Sequence, residues 1–219
     1  MNPTRIRVLL GDDHRIVREG LKQVLADAPE IDVCAEAATG PDVEAQVERL
    51  NGREGLDVVL LDIALPERDG LDVLQSLRKS WPTLPVLMLS TYPEKQYAVR
   101  CIKLGASGYL SKSADPDDMI AAVRKVAQGG VYVTPTTAEA LANAVGAAGT
   151  QMGPEALSHR EYQVYRLLTT GHSVSEIGAQ LQLAANTVST YRARILEKTG
   201  TKNDVELVLY AQRHHQGRV

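Results

Sequence analysis

Residues 58–70, VVLLDIALPERDG, join a short apolar run, an acid and a turn. The run at residues 58–61 has the length of a strand. Its lack of polar alternation is typical of a strand covered on both faces. Asp62 follows where this strand is predicted to end. Because Pro66 fixes its own φ and Gly70 permits an unusual φ, we expect a shaped loop directly after the acid.

The same alternation of short apolar runs and amphipathic segments repeats on both sides of this stretch. The predicted strands are residues 6–10, 31–35, 58–61, 85–89 and 108–110. The predicted helices are residues 14–28, 41–50, 70–80, 94–104 and 115–128. Five β–α repeats with continuous apolar strands predict an α/β domain with a doubly wound, five-stranded parallel sheet. In such sheets, functional groups collect at the carboxyl ends of the strands.

The rest of the chain changes composition twice. Residues 134–154 are rich in Ala, Thr and Gly and carry a single charge, Glu139, which predicts a short helix at 136–145 and then a flexible linker. Residues 155–219 are predicted to be wholly helical, with helices at 158–170, 173–183, 186–198 and 204–214. The predicted organisation is therefore a domain at 1–133, a linker at 134–154 and a second domain at 155–219.

Charge and composition narrow the classes of protein. The 219 residues have a net charge of −3, but residues 1–133 are acidic and residues 155–219 mildly basic, which suggests different partners for the two ends. No run approaches about 18 apolar residues and the start lacks a signal-peptide pattern, so we expect a cytoplasmic protein that does not span a membrane. Cys34 and Cys101 are predicted to be buried, without a disulfide or a metal.

Acids follow two of the predicted strands. Asp12 and Asp13 end the first strand, and Asp62 ends the third. If these strands are neighbours, the carboxylates converge at one edge, where a hard cation such as Mg²⁺ (or Mn²⁺) would offset their repulsion. Ser90 adds a hydroxyl after the fourth strand, and Lys112 adds an ammonium group after the fifth. This set predicts a phosphoryl-transfer site with one carboxylate as the nucleophile.

Four segments in this order resemble the receiver domain of two-component response regulators, which has a flavodoxin-like fold: VLLGDDH, VVLLDIALPERDG, PVLMLS and GASGYLSK. The resemblance implies that Asp62 accepts a phosphoryl group from a sensor histidine kinase. It implies that Asp12, Asp13 and Asp62 hold the metal together with the backbone carbonyl of Ala64. It also implies a set of residues that contact the phosphoryl group or move with it, namely Ser90, Thr91, Tyr109 and Lys112.

The last 65 residues contain two short helices joined by a tight turn, the second of them polar and basic, which is the helix-turn-helix pattern. Residues 157–212 resemble the LuxR-type helix-turn-helix of the NarL/FixJ subfamily, in which a receiver domain comes first. Because Ala184 and Ala185 precede the recognition helix, we expect Asn186 to act as a shifted N-cap. The predicted DNA-contacting residues are Thr187, Ser189, Thr190, Arg192, Ala193 and Arg194.

The two resemblances imply a transcription factor that binds double-stranded DNA and forms a homodimer on phosphorylation, with RNA polymerase as a further candidate partner. The last helix would form the dimer contact through Val205, Val208, Leu209 and Gln212. A haloacid-dehalogenase-like phosphatase is an alternative, but Ala64 stands where it needs a second Asp. A phosphorylation-independent receiver is another alternative, but the set of Asp12, Asp13, Asp62, Ser90 and Lys112 is complete, which argues against it. For the last domain, the alternative is a helical interaction module with a solvated basic face.

Overall fold

The computed structural model describes residues 5–91, 94–146, 157–181 and 183–216. The chain forms two compact units, Met1–Ala147 and Ala148–Val219. Among the described helices, none has the length and apolar character needed to cross a membrane.

The first unit contains a five-stranded sheet in which every neighbouring pair is parallel. Its strands are β1 (Ile6–Gly11), β2 (Ile31–Ala37), β3 (Val58–Asp62), β4 (Val86–Ser90) and β5 (Gly108–Ser111). The order in the sheet is β2-β1-β3-β4-β5, so β1 and β3 are neighbours. The predicted fold class is confirmed, and the acids that follow β1 and β3 are brought to one edge.

Helices follow each strand. They are α1 (Arg15–Ala26), α2 (Gly40–Arg49), α3 (Gly70–Ser80), α4 (Glu94–Lys103) and α5 (Pro116–Ala127). Local caps fix two of the starts: Thr39 accepts a hydrogen bond from the Asp42 amide at 3.2 Å, and Asp69 accepts one from the Leu71 amide at 2.8 Å. One face of the sheet packs on α1 and α5, forming a core that includes Leu10, Leu60 and Val123.

The helix expected at residues 136–145 is present as α6 (Pro135–Gly146). It packs against α4 and belongs to the first compact unit. The assignment of residues 134–154 to a linker stays a prediction, since residues 147–154 lie outside the described part of the chain.

The two cysteines differ in environment. Cys101 on α4 is buried as expected, but the prediction for Cys34 was wrong because this residue is exposed. The reason is that β2 lies at the edge of the sheet, where most of its residues are only partly covered. Both thiols are free, and Cys34 Sγ donates to the carbonyl of Val8 at 3.6 Å.

The second unit contains four helices in its described residues: α7 (His159–Thr169), α8 (Val174–Leu181), α9 (Ala185–Thr199) and α10 (Asp204–Gln216). Ser158 and Glu161 form a reciprocal capping box at the start of α7. The small core draws on all four helices and includes Val164, Ile177, Val188, Ile195 and Leu207.

The expectation that Asn186 caps the recognition helix was wrong. The N-cap of α9 is Ala184, which offers no side-chain hydrogen bond, so Asn186 lies inside the first turn. Its carbonyl accepts a hydrogen bond from the Thr190 hydroxyl at 2.9 Å. The start of α9 therefore keeps backbone amides that no side chain caps, which are well suited to an anion.

Candidate functional sites: an acidic edge and an exposed helix

The carboxyl edge of the sheet brings together Asp12, Asp13 and Asp62, as the sequence predicted, and adds His14. One potential ligand atom from each of the four residues lies within 4.8 Å of the other three. Asp12 and Asp62 are buried, whereas Asp13 and His14 are exposed. The edge is therefore open to solvent on one side and closed by the strands on the other.

Lys112 neutralises the buried part of this edge. Its Nζ lies 2.6 Å from Asp12 Oδ2 and 2.7 Å from Asp62 Oδ2, and its side chain is only 10% exposed. Burial opposes the charged form of Lys112, but its hydrogen bonds to the two acids raise its pKa overall. Burial also raises the pKa of Asp62, which Lys112 partly offsets. Two buried carboxylates are tolerated here because one ammonium group serves both.

The loop after β3 is held tightly against the nucleophile candidate. The Ala64 amide donates to Asp62 Oδ1 at 3.2 Å, so the main chain of Ala64 follows the carboxylate closely. A Cβ at position 70 would lie 2.0 Å from the Asp62 carbonyl oxygen, so only glycine fits there. The expectation that Gly70 has an unusual φ was wrong: the positive φ of this loop, 62°, falls on Glu67.

The remaining predicted residues of this site lie on β4 and β5 or follow them. Ser90 ends β4 and is buried, and its carbonyl accepts from the Lys112 amide at 2.9 Å. Thr91 follows and is exposed. Tyr109 on β5 is buried and hydrogen-bonded with Ser90, and burial is the main reason why its pKa is raised.

The ligand chemistry of the acidic edge fits a divalent cation. Lys112 contacts one oxygen of Asp12, and the other, Oδ1, lies 3.5 Å from His14 Nδ1. Asp13 Oδ1 lies 2.6 Å from the same nitrogen. Carboxylate oxygens gathered at an exposed opening are ligands that small hard cations prefer. Sequence reasoning missed His14, although it directly follows the two acids in VLLGDDH.

The predicted DNA-contacting residues lie on α9. Val188 and Ile195 on the opposite face are buried in the core. Five of the six predicted contacts are exposed: Thr187, Ser189, Thr190, Ala193 and Arg194. Arg192 differs, since its Nε pairs with the two carboxylate oxygens of Asp204 on α10 at 2.8 and 3.1 Å. This pair could not be predicted from the sequence, because its members belong to different helices.

The predicted dimer residues lie on α10. Val205 and Leu209 are 71% and 50% exposed, Gln212 is exposed, and Val208 is half-buried. Leu207 and Ala211 point to the core instead and are buried. An exposed apolar pair one turn apart on a terminal helix is a surface that a partner can cover.

Comparison with known families identifies both units. Residues 8–124 match the response regulator receiver domain, and residues 155–211 match the bacterial regulatory proteins of the luxR family. The chain belongs to the response regulators. Members with these two domains regulate transcription.

This response regulator resembles characterised proteins along nearly its whole length. The transcriptional regulatory protein UhpA of Escherichia coli K12 is 42% identical over 202 residues, which span 92% of this chain and 95% of UhpA. The crystal structure of ChrA, a response regulator of a heme-sensing two-component system, matches with a TM-score of 0.53 at 32% identity, covering 97% of this chain and 98% of that one.

A third comparison supports the fold of the response regulator. RcsB of Salmonella enterica serovar Typhimurium, solved on the promoter rprA in the presence of phosphomimetic BeF₃⁻, matches with a TM-score of 0.60 at 23% identity. The match covers 94% of this chain and 98% of that one.

Proposed function

We propose that a sensor histidine kinase phosphorylates this response regulator on Asp62, and that this modification controls dimerisation and sequence-specific binding to double-stranded DNA. The observation that carries the proposal is the pairing of buried Asp62 with both Lys112 and the acidic edge. A regulator that binds the chromosome acts in the cytoplasm. In this proposal, residues 1–133 are the receiver domain, residues 155–219 are the DNA-binding domain, and residues 134–154 are the linker between them.

The transfer uses groups already in position. A carboxylate oxygen of Asp62 attacks the phosphorus of a phosphohistidine, the P–N bond breaks, and the imidazole leaves with its electron pair. Lys112, 2.7 Å from Asp62, then pairs with an oxygen of the new phosphoryl group. Ser90 and Thr91 follow β4 at the same edge and are proposed to bond the remaining oxygens. Tyr109 changes position as Ser90 moves.

Asp12, Asp13 and Asp62 would hold the metal ion, with the backbone carbonyl of Ala64 as a further ligand. Mg²⁺ is the proposed ion, and Mn²⁺ the alternative, because the donors are mainly carboxylates. When bound, the ion supplies positive charge to the phosphoryl oxygens. The protein's own contribution is to keep the acids close together and partly buried, so that they bind a cation in spite of their mutual repulsion.

DNA binding is assigned to α9. Ser189, Thr190 and Ala193 are small enough for close approach to base edges in the major groove, and the Thr190 methyl group can contact a thymine methyl. Thr187, beside the uncapped helix start, and Arg194 are assigned to phosphates. Arg192 is assigned a smaller role because Asp204 already neutralises it. The structure of RcsB on the promoter rprA gives a precedent within the same fold.

A homodimer would double the DNA contact. Its proposed seam is α10, with Val205 and Leu209 at the centre and Val208 and Gln212 beside them. The side chains of Val205 and Leu209 are among the most exposed large apolar side chains of the described residues. RNA polymerase is a further candidate partner of the bound dimer.

The test of the proposed chemistry is phosphoryl labelling of the full chain with acetyl phosphate and Mg²⁺. We expect one phosphoryl group per chain, labile in acid and in base, and no labelling when the metal is chelated. Asp62→Asn should abolish labelling, whereas Asp72→Asn, an exposed acid on α3, should not change it. Undiminished labelling of Asp62→Asn would overturn the assignment.

A further inference from the structure

The main chain directly after β1 is held from both sides. The Asp12 amide donates to the carbonyl of Ala37, the last residue of β2, at 3.1 Å. The Asp12 carbonyl accepts from Nη1 of Arg18, a residue of α1, at 2.6 Å. Because β1 ends at Gly11, this carbonyl lies beyond the strand, and a side chain satisfies it instead of a neighbouring strand.

Arg18 is itself fixed by a carboxylate on β2. Its Nε donates to Glu36 Oε2 at 3.0 Å, and only 15% of the Arg18 side chain is exposed. The other oxygen of that carboxylate, Oε1, accepts from Lys22 Nζ at 2.8 Å. Hydrogen bonds from Lys22 and from Arg18 lower the pKa of Glu36, so this group is ionised at neutral pH. The planar guanidinium of Arg18 therefore joins two acceptors through separate nitrogens.

The carbonyl that Arg18 binds belongs to the peptide unit between two candidate metal ligands. A peptide unit is planar, so a hydrogen bond to its oxygen also fixes the direction in which the chain continues to Asp13. Asp12 is held in addition through its carboxylate, since Oδ2 lies 2.6 Å from Lys112 Nζ. Asp13 is exposed, and its carboxylate contacts the neighbouring His14. The position of Asp13 at the acidic edge therefore depends on the orientation of the peptide unit before it.

We propose that Arg18 is a positioning residue for the metal site, which fixes the peptide unit between Asp12 and Asp13 so that both carboxylates can bind one cation. This inference rests on the proposed function, because it concerns the ion at the acidic edge. Without Arg18, the peptide unit is free to turn and is ordered only when the ion binds, which lowers the affinity. Groups that orient a metal ligand without touching the ion commonly change metal affinity by about 10–100-fold when they are removed.

The test is the affinity of the full chain for Mn²⁺ alone, measured by electron paramagnetic resonance of the free ion, in Arg18→Met and Lys22→Met. Methionine keeps an unbranched apolar side chain at both positions. Lys22→Met is the matched control, because it removes a positive charge from the same Glu36 carboxylate and leaves the Asp12 carbonyl bonded to Arg18. We expect Arg18→Met to bind Mn²⁺ about tenfold more weakly than the wild type, and Lys22→Met to bind it like the wild type.

Phosphoryl labelling by acetyl phosphate distinguishes positioning from a merely structural role. In Arg18→Met, the Mg²⁺ concentration that gives half-maximal labelling should rise by about tenfold, while labelling at saturating Mg²⁺ should match that of the wild type. A residue that only stabilised the fold would lower the amount of labelled protein at every Mg²⁺ concentration and leave the half-maximal concentration unchanged.

Arg18→Lys is the second variant, should Arg18→Met fail to fold. It retains the charge beside Glu36 but has a single nitrogen, so Mn²⁺ binding should weaken in the same direction by a smaller factor. The proposal is overturned if the folded Arg18 variants bind Mn²⁺ as tightly as Lys22→Met. Failure of this inference alone leaves Mn²⁺ binding and Asp62 labelling of the wild type intact. Failure of the proposed function removes the labelling of the wild type itself, and a wild type that binds no Mn²⁺ overturns both.

Discussion

The two units of this response regulator present their functional groups in opposite ways. In the receiver unit, Asp12 and Asp62 are 1% and 2% exposed and lie at the ends of adjacent strands. In the helical unit, Ser189, Thr190 and Arg194 lie in solvent on one face of α9. Group transfer requires charges that are desolvated and fixed, because electrostatic effects are strongest away from water. Recognition of a groove requires polar groups that are exposed and free to pair.

The ion pairs of the two units show the same contrast. Lys112 is enclosed with two acids, so removal of Lys112 leaves two buried carboxylates without their counter-charge, which is costly. Arg192 and Asp204 are 35% and 45% exposed, and a pair of this kind contributes little to stability. Substitution of Lys112 should therefore affect folding and chemistry together, while substitutions of the exposed residues on α9 should affect binding alone.

The largest effect is expected at Gly70. Gly70→Val places atoms against the Asp62 carbonyl and must displace the loop that holds the acid. We expect a loss of about 3 kcal/mol in the free energy of unfolding and a loss of phosphoryl labelling. The free energy of unfolding is measured by urea unfolding, followed by the fluorescence of Trp81. Trp81 is the only tryptophan of the chain and lies in the receiver unit.

Gly20→Ala is the matched control for this substitution. Gly20 is an exposed residue of α1 with nothing within 4 Å of an added Cβ. Because alanine favours the helix over glycine, stability should rise by about 0.5–1 kcal/mol. If Gly70→Val were as stable as wild type and still labelled, the tight coupling of loop and acid would be disproved.

The next effect separates recognition from affinity on α9. Thr190→Ala should reduce discrimination between selected and scrambled DNA by about 1–3 kcal/mol. Arg194→Ala should weaken both DNAs alike and lower the magnitude of the salt slope by about 1 per monomer. The measurement is a set of binding curves at several salt concentrations, with DNA that the phosphorylated full chain has selected from a random pool.

Arg192→Ala is the internal comparison, and its effect on the salt slope should be smaller than that of Arg194→Ala. The roles of Thr190 in base recognition and Arg194 in phosphate contact would be reversed by one pair of results. Thr190→Ala would bind both DNAs equally less tightly, and Arg194→Ala would lose only the preference for the selected DNA.

The smallest effect concerns acid stability of the helical unit. Burial disfavours the charged form of Glu161, but its bonds with Lys198 and the Ser158 amide lower its pKa overall. A lowered pKa in the folded state means that the carboxylate stabilises the unit at neutral pH and ceases to do so as pH falls below about 4.5. Glu161→Gln, which keeps the capping box, should cost about 0.5–1 kcal/mol at pH 7.

The pH dependence of this loss of stability shows whether the charge of Glu161 causes it. The difference between wild type and Glu161→Gln should shrink as the solution is acidified towards pH 3. Urea unfolding, followed on the NMR amide signals of Val164 and Ile177, measures it at each pH. A difference that stayed constant across this range would show that charge at Glu161 is unimportant.

What could be predicted from the sequence follows the same division between the units. Continuous apolar strands specify a parallel sheet, so the position of Asp12, Asp62 and Lys112 at one edge was predictable, whereas their contact also required β1 and β3 to be neighbours. Periodicity likewise specified the buried face of α9, with Val188 and Ile195 inward.

The features that the sequence did not reveal depend on contacts between elements. Gly70 is required by the Asp62 carbonyl and not by its own φ, which only the folded loop makes visible. Three features depend on positions that are distant in sequence. They are the Arg192–Asp204 ion pair, the exposure of Cys34 at the sheet edge, and the hydrogen bonds from Thr134 and Thr137 to Glu94. Local pattern carries no information on such contacts, because side chains from different elements meet only after packing.

Whether phosphorylation of Asp62 controls DNA binding is decided by the affinity of the full chain for its selected DNA. The affinity is measured with and without acetyl phosphate and Mg²⁺, in wild type and in Asp62→Asn. We predict that the phosphodonor raises the affinity of the wild type by about tenfold, a typical coupling between two sites. Asp62→Asn should bind with the unphosphorylated affinity under both conditions. Control of DNA binding by Asp62 is ruled out if Asp62→Asn responds to the donor as the wild type does, or if a fully labelled wild type binds no more tightly.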